Sequence, residues 1–175
     1  MKKILGIAGY SGGGKTTLVA ALIPVLNAHG ISVSTIKHAH HAFDVDTPGK
    51  DSFEHRRAGA HEVLVSSAHR WALMHENREA EEPALDALIA QLAPVDLVLV
   101  EGWKFGAHPK LEVHRPHIGK PLLAANDPAV IAVACDAPET LPQLSCPVLP
   151  LADISIIADF VVGFLKQGSD LSGSR

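Results

Sequence analysis

The octapeptide Gly9-Tyr10-Ser11-Gly12-Gly13-Gly14-Lys15-Thr16 fills every fixed position of the pattern G-x-x-x-x-G-K-[ST]. Ile4 to Ala8 before it is a short apolar run, as for a buried strand. Lys15 to Ala28 after it reads as a helix, with Leu18, Leu22, Val25 and Leu26 on one side. Strand, glycine turn and helix in that order constrain the chain more than any other feature. The glycines let the backbone curl so that several N–H groups point inward around a phosphate. The first turn of the helix adds unpaired donors and the positive end of the helix dipole. The Lys15 ammonium can bridge outer phosphates, the Thr16 hydroxyl can ligate Mg²⁺, and Thr17 can reach the inner phosphate. The segment points to a nucleoside triphosphate and leaves the base open.

The rest of the chain repeats the alternation. Ile31 to Ile36 reads as a second strand after the stop signal His29-Gly30, and Pro24 predicts a kink in the helix before it. Lys37 to Asp51 is polar and reads as a loop, and Ser52 to Gly59 as a short helix. Glu62 to Ser66 and Arg70 to His75 read as two short strands, and Glu82 to Leu92 as a helix. Val95 to Val100 has the unbroken aliphatic character of a strand covered on both faces. Lys110 to His114 alternates and predicts an edge strand, while Val130 to Ala134 and Val148 to Leu149 read as buried strands. Asp153 to Lys166 is an amphipathic helix that Asp153 can cap. These elements predict an α/β fold of the P-loop NTPase type: a three-layer sandwich with a mostly parallel sheet, helices on both faces and extra short antiparallel strands. One domain over residues 1–167 and a polar tail over 168–175 are expected. Ligands of such sheets bind at the carboxyl ends of the strands. That places Gly9, Lys37, Glu101 and Asp136 on one rim.

A Mg²⁺ ion held by a threonine and phosphates wants a nearby carboxylate. Glu101 is the first polar residue after four aliphatics, and Gly102 allows close approach, whereas Asp96 opens the strand and belongs to the opposite rim. Glu101 either serves the metal with Thr16 or ends the strand in solvent. Asp44, Asp46 and Asp51 surround Pro48-Gly49-Lys50; Asp51 is either a second metal-side carboxylate or a cap for the Ser52 helix, and Lys50 either touches phosphate or is solvated. His38, His40 and His41 invite a Zn or Ni reading but offer no closed ligand set. No [NT]-K-x-D tetrapeptide is present, so Asp136 is the candidate reader of the guanine N–H and amino group, or else a turn residue before Pro138. Lys104, Lys110, Arg115 and Lys120 form a locally basic stretch, read as a solvated loop or as a contact for a second anion.

Composition excludes other classes. The 175 residues carry a formal charge of −4, which argues against a general nucleic-acid binder. No apolar run reaches the ~18 residues that cross a bilayer. Cys135 and Cys146 have no zinc-knuckle or CxxC spacing and read as reduced, buried thiols. A cytoplasmic protein is expected.

The glycine loop, Ile36-Lys37-His38-Ala39-His40-His41 and Asp44-Val45-Asp46-Thr47-Pro48-Gly49-Lys50-Asp51-Ser52 together resemble the molybdopterin-guanine dinucleotide biosynthesis protein B family, MobB. Arg70-Trp71-Ala72-Leu73-Met74, Val98-Leu99-Val100-Glu101-Gly102, Ile131-Ala132-Val133-Ala134 with Asp136, and Ala158-Asp159-Phe160-Val161-Val162 fit the same family. The resemblance implies a GTP- and Mg²⁺-binding protein with weak GTPase activity. It would assist the guanylyltransferase MobA, which joins GMP to molybdopterin to make the guanine dinucleotide cofactor. It further implies a homodimer with an extended sheet, built partly from the segment around Arg70 to His75. Gly9 to Thr17 carry over as the nucleotide site, with Gly49, Lys50, Asp51 and Ser52 as an added part and Glu101 as the metal-side acid. Slow hydrolysis is consistent with the absence of an arginine inside the loop; Arg56 and Arg57 are the candidates elsewhere. Two other classes stand beside this one, a small-molecule kinase and a metal-delivery GTPase drawing on the histidine cluster.

Overall fold

The computed structural model describes residues 2–39 and 43–167. Contacts group the chain into two compact units, Met1–His38 with Ile89–Arg175, and Ala39–Leu88, where the sequence reading draws one domain.

The first unit is a parallel sheet of six strands. These are β1 (Lys3–Ala8), β2 (Val33–Lys37), β5 (Leu97–Glu101), β6 (Lys110–His114), β7 (Val130–Cys135) and β8 (Val148–Pro150), in the order β2-β5-β1-β6-β7-β8. Helix α1 (Lys15–Ala28) connects β1 to β2 and runs on through Pro24 without interruption. It packs with α4 (Ile154–Lys166) over one face of the sheet, where Leu5, Ile7, Leu97, Leu99, Leu111 and Val113 meet Leu18, Leu22, Ile157 and Val161. Asp153 caps α4 by accepting from the Ser155 and Ile156 amides, as its position predicts. At the other end of α4, Lys3 Nζ donates to the Phe164 and Leu165 carbonyls at 3.0 and 2.6 Å. Asp96 lies at the amino-end rim, where its carboxylate accepts from the Ser32 amide and hydroxyl at 2.8 and 2.6 Å, which lowers its pKa.

The expectation of an edge strand over Lys110 to His114 is wrong. β6 lies between β1 and β7, and all five of its residues are buried. Its alternation reflects two buried faces. Leu111 and Val113 meet the helices, while Lys110, Glu112 and His114 occupy the other face and are paired there. Lys110 is 1% exposed, forms an ion pair with Asp127 at 2.9 Å and donates to the Gly106 carbonyl. The buried Glu112 carboxylate accepts the amides of Leu123 and Ala124 at 2.9 and 2.8 Å, and His114 Nδ1 lies 3.6 Å from it. Lys110 is therefore no part of a solvated loop.

His108 packs beside this cluster, with Nε2 buried and unpartnered; a Cβ added to Gly6 would lie 2.6 Å from that atom. Burial, then the Lys110 charge, push the imidazole pKa below 6.5, with Asp127 opposing. The folded state thus binds fewer protons at His108 than the unfolded chain. The stability it contributes is complete above the unfolded value and falls as pH drops below about 6.5. His108→Gln is expected to flatten the decline of melting temperature between pH 7 and pH 5; an unchanged slope would remove His108 as its source.

The second unit holds α2 (Asp51–Arg57) and an antiparallel pair, β3 (Glu62–Ser66) and β4 (Trp71–His75). Leu64 pairs with Leu73 and Ser66 with Trp71, so Leu64, Leu73 and Trp71 share one face, and all three are exposed. Arg56 is committed to its own surroundings. It donates to Asp44 at 2.8 Å, to Asp46 at 3.3 Å and to Glu76 at 3.0 Å. The Arg56 hydrogen bond holds the Asp44 carboxyl below its usual range. Helix α3 (Leu85–Gln91) follows and starts three residues later than the sequence suggests.

Candidate functional site: the phosphate loop and its rim

Because all six strands are parallel, Gly9, Lys37, Glu101 and Asp136 emerge on one rim, as expected. The loop between β1 and α1 bends through positive φ at Gly9, Gly12 and Gly14. A Cβ at Gly9 would stand 2.5 Å from the Val113 carbonyl oxygen, so glycine is required there by both conformation and space. Gly14 occupies the N-cap of α1 in the left-handed region, and no side chain caps the helix. Its first-turn amides are left for a ligand or water.

Lys15 is half-buried, and its Nζ donates to the Tyr10 carbonyl at 2.9 Å, which folds the ammonium back across the loop. Burial lowers its pKa; Glu101 opposes this, and the Lys104 and Lys37 charges reinforce it. The Thr16 hydroxyl donates to Glu101 Oε1 at 2.8 Å. Lys37 Nζ sits 3.4 Å from the Thr16 hydroxyl and 3.8 Å from Glu101 Oε1. A hydroxyl and a carboxylate oxygen at this separation, beside a phosphate cradle, are hard oxygen donors that fit Mg²⁺. Glu101 is therefore engaged with the loop rather than ending its strand in solvent. Gly102 follows it with a φ of 113°, and a Cβ there would meet the His38 Cβ at 2.7 Å, so the chain passes close to His38 at this point.

Two residues of the basic stretch, read from sequence as a solvated loop or a contact for a second anion, lie at the phosphate loop instead. Arg115 Nε donates to the Gly13 carbonyl at 3.0 Å, and Nη1 donates to Asp136 Oδ2 at 2.7 Å. Lys104 Nζ lies 4.8 Å from the Tyr10 ring centroid and 5.0 Å from that of Phe105. Arg115 directly follows β6 and Lys104 lies three residues beyond the end of β5, which is the signal available in sequence. An Asp136 that reads guanine does so with Arg115 already on one of its oxygens. The His38 ring packs against Trp103 at 4.9 Å, while His40 and His41 lie outside the described residues. Among the described residues, no group of three or more His, Cys, Asp or Glu could hold a metal ion. Gly49, Lys50, Asp51 and Ser52 belong to the second unit. There Lys50 takes the N-cap position of α2, Asp51 opens its first turn, and Ser52 donates to Asp46 at 2.9 Å.

Residues 4–136 match the family model of molybdopterin guanine dinucleotide synthesis protein B, MobB. The chain belongs to the MobB family. It is 44% identical over 170 residues to the molybdopterin-guanine dinucleotide biosynthesis adapter protein of Escherichia coli K12, covering 95% of each chain. It is 43% identical over 166 residues to the adapter protein of that name from Haemophilus influenzae, covering 94% of this chain and 90% of that one. The MobB homolog from Bacillus stearothermophilus superimposes with a TM-score of 0.71 at 26% identity, over 94% of this chain and 98% of its own. MobB from Bacillus subtilis superimposes with a TM-score of 0.71 at 23% identity, over 92% of this chain and 96% of its own, and supports the fold alone. The expected α/β fold of the P-loop NTPase type, with a mostly parallel sheet and extra short antiparallel strands, is borne out by the sheets of this chain and by its likeness to the MobB structures. No helix among the described residues is long and apolar enough to cross a membrane.

Proposed function

We propose that this MobB-family chain is a GTP-binding adapter in the biosynthesis of the molybdopterin guanine dinucleotide cofactor. It would work in the cytoplasm alongside the guanylyltransferase that joins GMP to molybdopterin. The observation that carries the nucleotide reading is the Thr16–Glu101 hydrogen bond at the mouth of the uncapped α1 terminus. It joins the end of the phosphate loop to the acid that ends the neighbouring strand. The loop amides and Lys15 would bind the triphosphate; Thr16 and Glu101 would hold Mg²⁺. The metal, when bound, would neutralise charge on the outer phosphates. Asp136 would read the base. Asp51, with Gly49, Lys50 and Ser52, is proposed as a further contribution to the nucleotide site, on the family resemblance alone. Hydrolysis would be slow, since an adapter needs a bound state more than turnover. The exposed face of Leu64, Trp71 and Leu73 supports a homodimer joined through this hairpin.

Calorimetric titration of GTP and of ATP, with and without Mg²⁺, tests the reading. GTP is expected to bind more tightly than ATP by about tenfold or more, a difference of about 1.4 kcal/mol. Glu101→Gln is expected to lose most of the Mg²⁺ enhancement while keeping its metal-free affinity. Equal GTP and ATP affinities would defeat the base assignment. Identical metal titrations for variant and wild type would return Glu101 to the role of a strand end.

A further inference from the structure

Arg115 follows β6 directly, and its guanidinium reaches back to the phosphate loop. Nε holds the Gly13 carbonyl and Nη1 holds Asp136, which follows β7. Nη2 stands 3.5 Å from where a Cβ on Gly14 would lie. The Gly13 carbonyl and the Gly14 amide belong to one peptide plane. In a trans peptide these two groups point in opposite directions. Holding the carbonyl towards Arg115 therefore turns the Gly14 N–H away from it. Glycines at 12, 13 and 14 have wide conformational freedom, so this plane needs an external anchor to stay oriented. Asp136 supplies the second fixed point. With one fork atom on Gly13 and another on Asp136, the guanidinium loses its freedom to swing away. A lysine, with one compact ammonium, cannot span both acceptors in this fixed geometry.

We propose that Arg115 is the positioning residue of the phosphate loop. Asp136 orients its guanidinium, the guanidinium fixes the Gly13 carbonyl, and the Gly14 amide is thereby aimed for a phosphate oxygen. Arg115 then acts through the main chain rather than on the reacting atoms. It differs in this from Lys15, which addresses the phosphates directly. It also links the phosphate cradle to the residue proposed to read the base.

The test uses the full chain as wild type, Arg115→Ala, Arg115→Lys, Asp136→Asn and the double variant Arg115→Ala/Asp136→Asn. Hydrogen exchange of the protected amides at the loop, Gly13 (donating to the Tyr10 carbonyl at 3.2 Å) and Leu18 (donating to the Gly14 carbonyl at 2.9 Å), is followed without nucleotide. Arg115→Ala is expected to speed it about tenfold or more, as for loss of a charge-assisted hydrogen bond. Arg115→Lys should do nearly the same, and Asp136→Asn less. With Mg²⁺ present, Arg115→Ala is expected to weaken GTP and ATP binding by the same factor, about tenfold. With ATP, whose affinity owes nothing to a reader of guanine, the double variant should be no weaker than Arg115→Ala alone. Methylguanidinium chloride at a non-denaturing concentration should restore affinity to Arg115→Ala, which a general packing defect would not permit.

Unchanged loop exchange in Arg115→Ala would overturn the proposal, as would ATP-affinity losses that multiply in the double variant. An Asp136→Asn loss confined to GTP, with loop exchange unaltered, would leave Asp136 to the base and break the proposed coupling. The affinity arms rest on the GTP-binding reading and the exchange arm does not. If wild type bound no nucleotide, that reading would fail while exchange still decided the role of Arg115. Should Arg115→Ala fail to fold, Arg115→Lys and Asp136→Asn carry the same comparison.

Discussion

Lys15→Ala is expected to abolish measurable triphosphate binding while leaving the fold intact. Its ammonium is half-buried at the loop and already bonded to the Tyr10 carbonyl, so it meets a ligand with little further ordering. A unit charge about 4 Å from a phosphate charge contributes about 4 kcal/mol at an effective dielectric constant near 20. Losing it corresponds to a fall in affinity on the order of a thousandfold. The melting temperature should hold or rise, because burial already lowers the Lys15 pKa and its removal relieves a desolvated cation. The sign of the pH effect follows. Wild-type affinity should decline on the alkaline side as Lys15 deprotonates, at a pH below the ordinary 10.5 in the free protein. The variant should lack that decline. Calorimetry with GTP and Mg²⁺ checks the first outcome and a thermal melt the second. Unchanged affinity would contradict the assigned site.

Glu112→Gln is expected to cost the most stability for the least change in shape. The carboxylate is fully buried and uses one oxygen for the Leu123 amide and the other for the Ala124 amide. Gln has nearly the same volume but only one acceptor. One of the two amides must then face an NH₂ group, donor against donor, in a dry interior. Leaving a buried donor without an acceptor costs about 1–3 kcal/mol, and more where a charged partner is lost. At roughly 2–4 °C per kcal/mol for a chain of this size, the melting temperature should fall by about 2–12 °C. The loss should include the turn at Leu123–Ala125, visible as faster amide exchange there. A melting temperature within about 2 °C of wild type would show that the turn is held by other contacts.

Much of the fold was legible in the residues because it depends on short-range rules. The helix α1, the antiparallel pair and the capped α4 follow from local periodicity, glycine placement and one aspartate. The rim follows from a parallel sheet, in which every strand presents its carboxyl end on the same side. Lys15, Thr16 and Glu101 could be named because each sits at a set distance from a strand end. β6 shows where this fails. Alternation is the mark of a half-exposed strand when the polar residues face water, and Lys110, Glu112 and His114 obey the pattern without facing water. Their partners are Asp127, the Gly106 carbonyl and the amides of Leu123 and Ala124, which no local window contains.

The residues alone determined that a glycine turn of phosphate-loop sequence lies between a buried strand and a helix, and which lysine and threonine follow it. Backbone freedom at glycine and the spacing along one turn are properties of adjacent positions, so adjacency suffices to read them. Tertiary structure decided which distant groups complete the rim. It joined Glu101 to Thr16, placed Arg115 between Gly13 and Asp136, and buried a polar strand at the centre of the sheet. Those pairings depend on strand order, and strand order is settled by burial of the whole sheet rather than by any one segment.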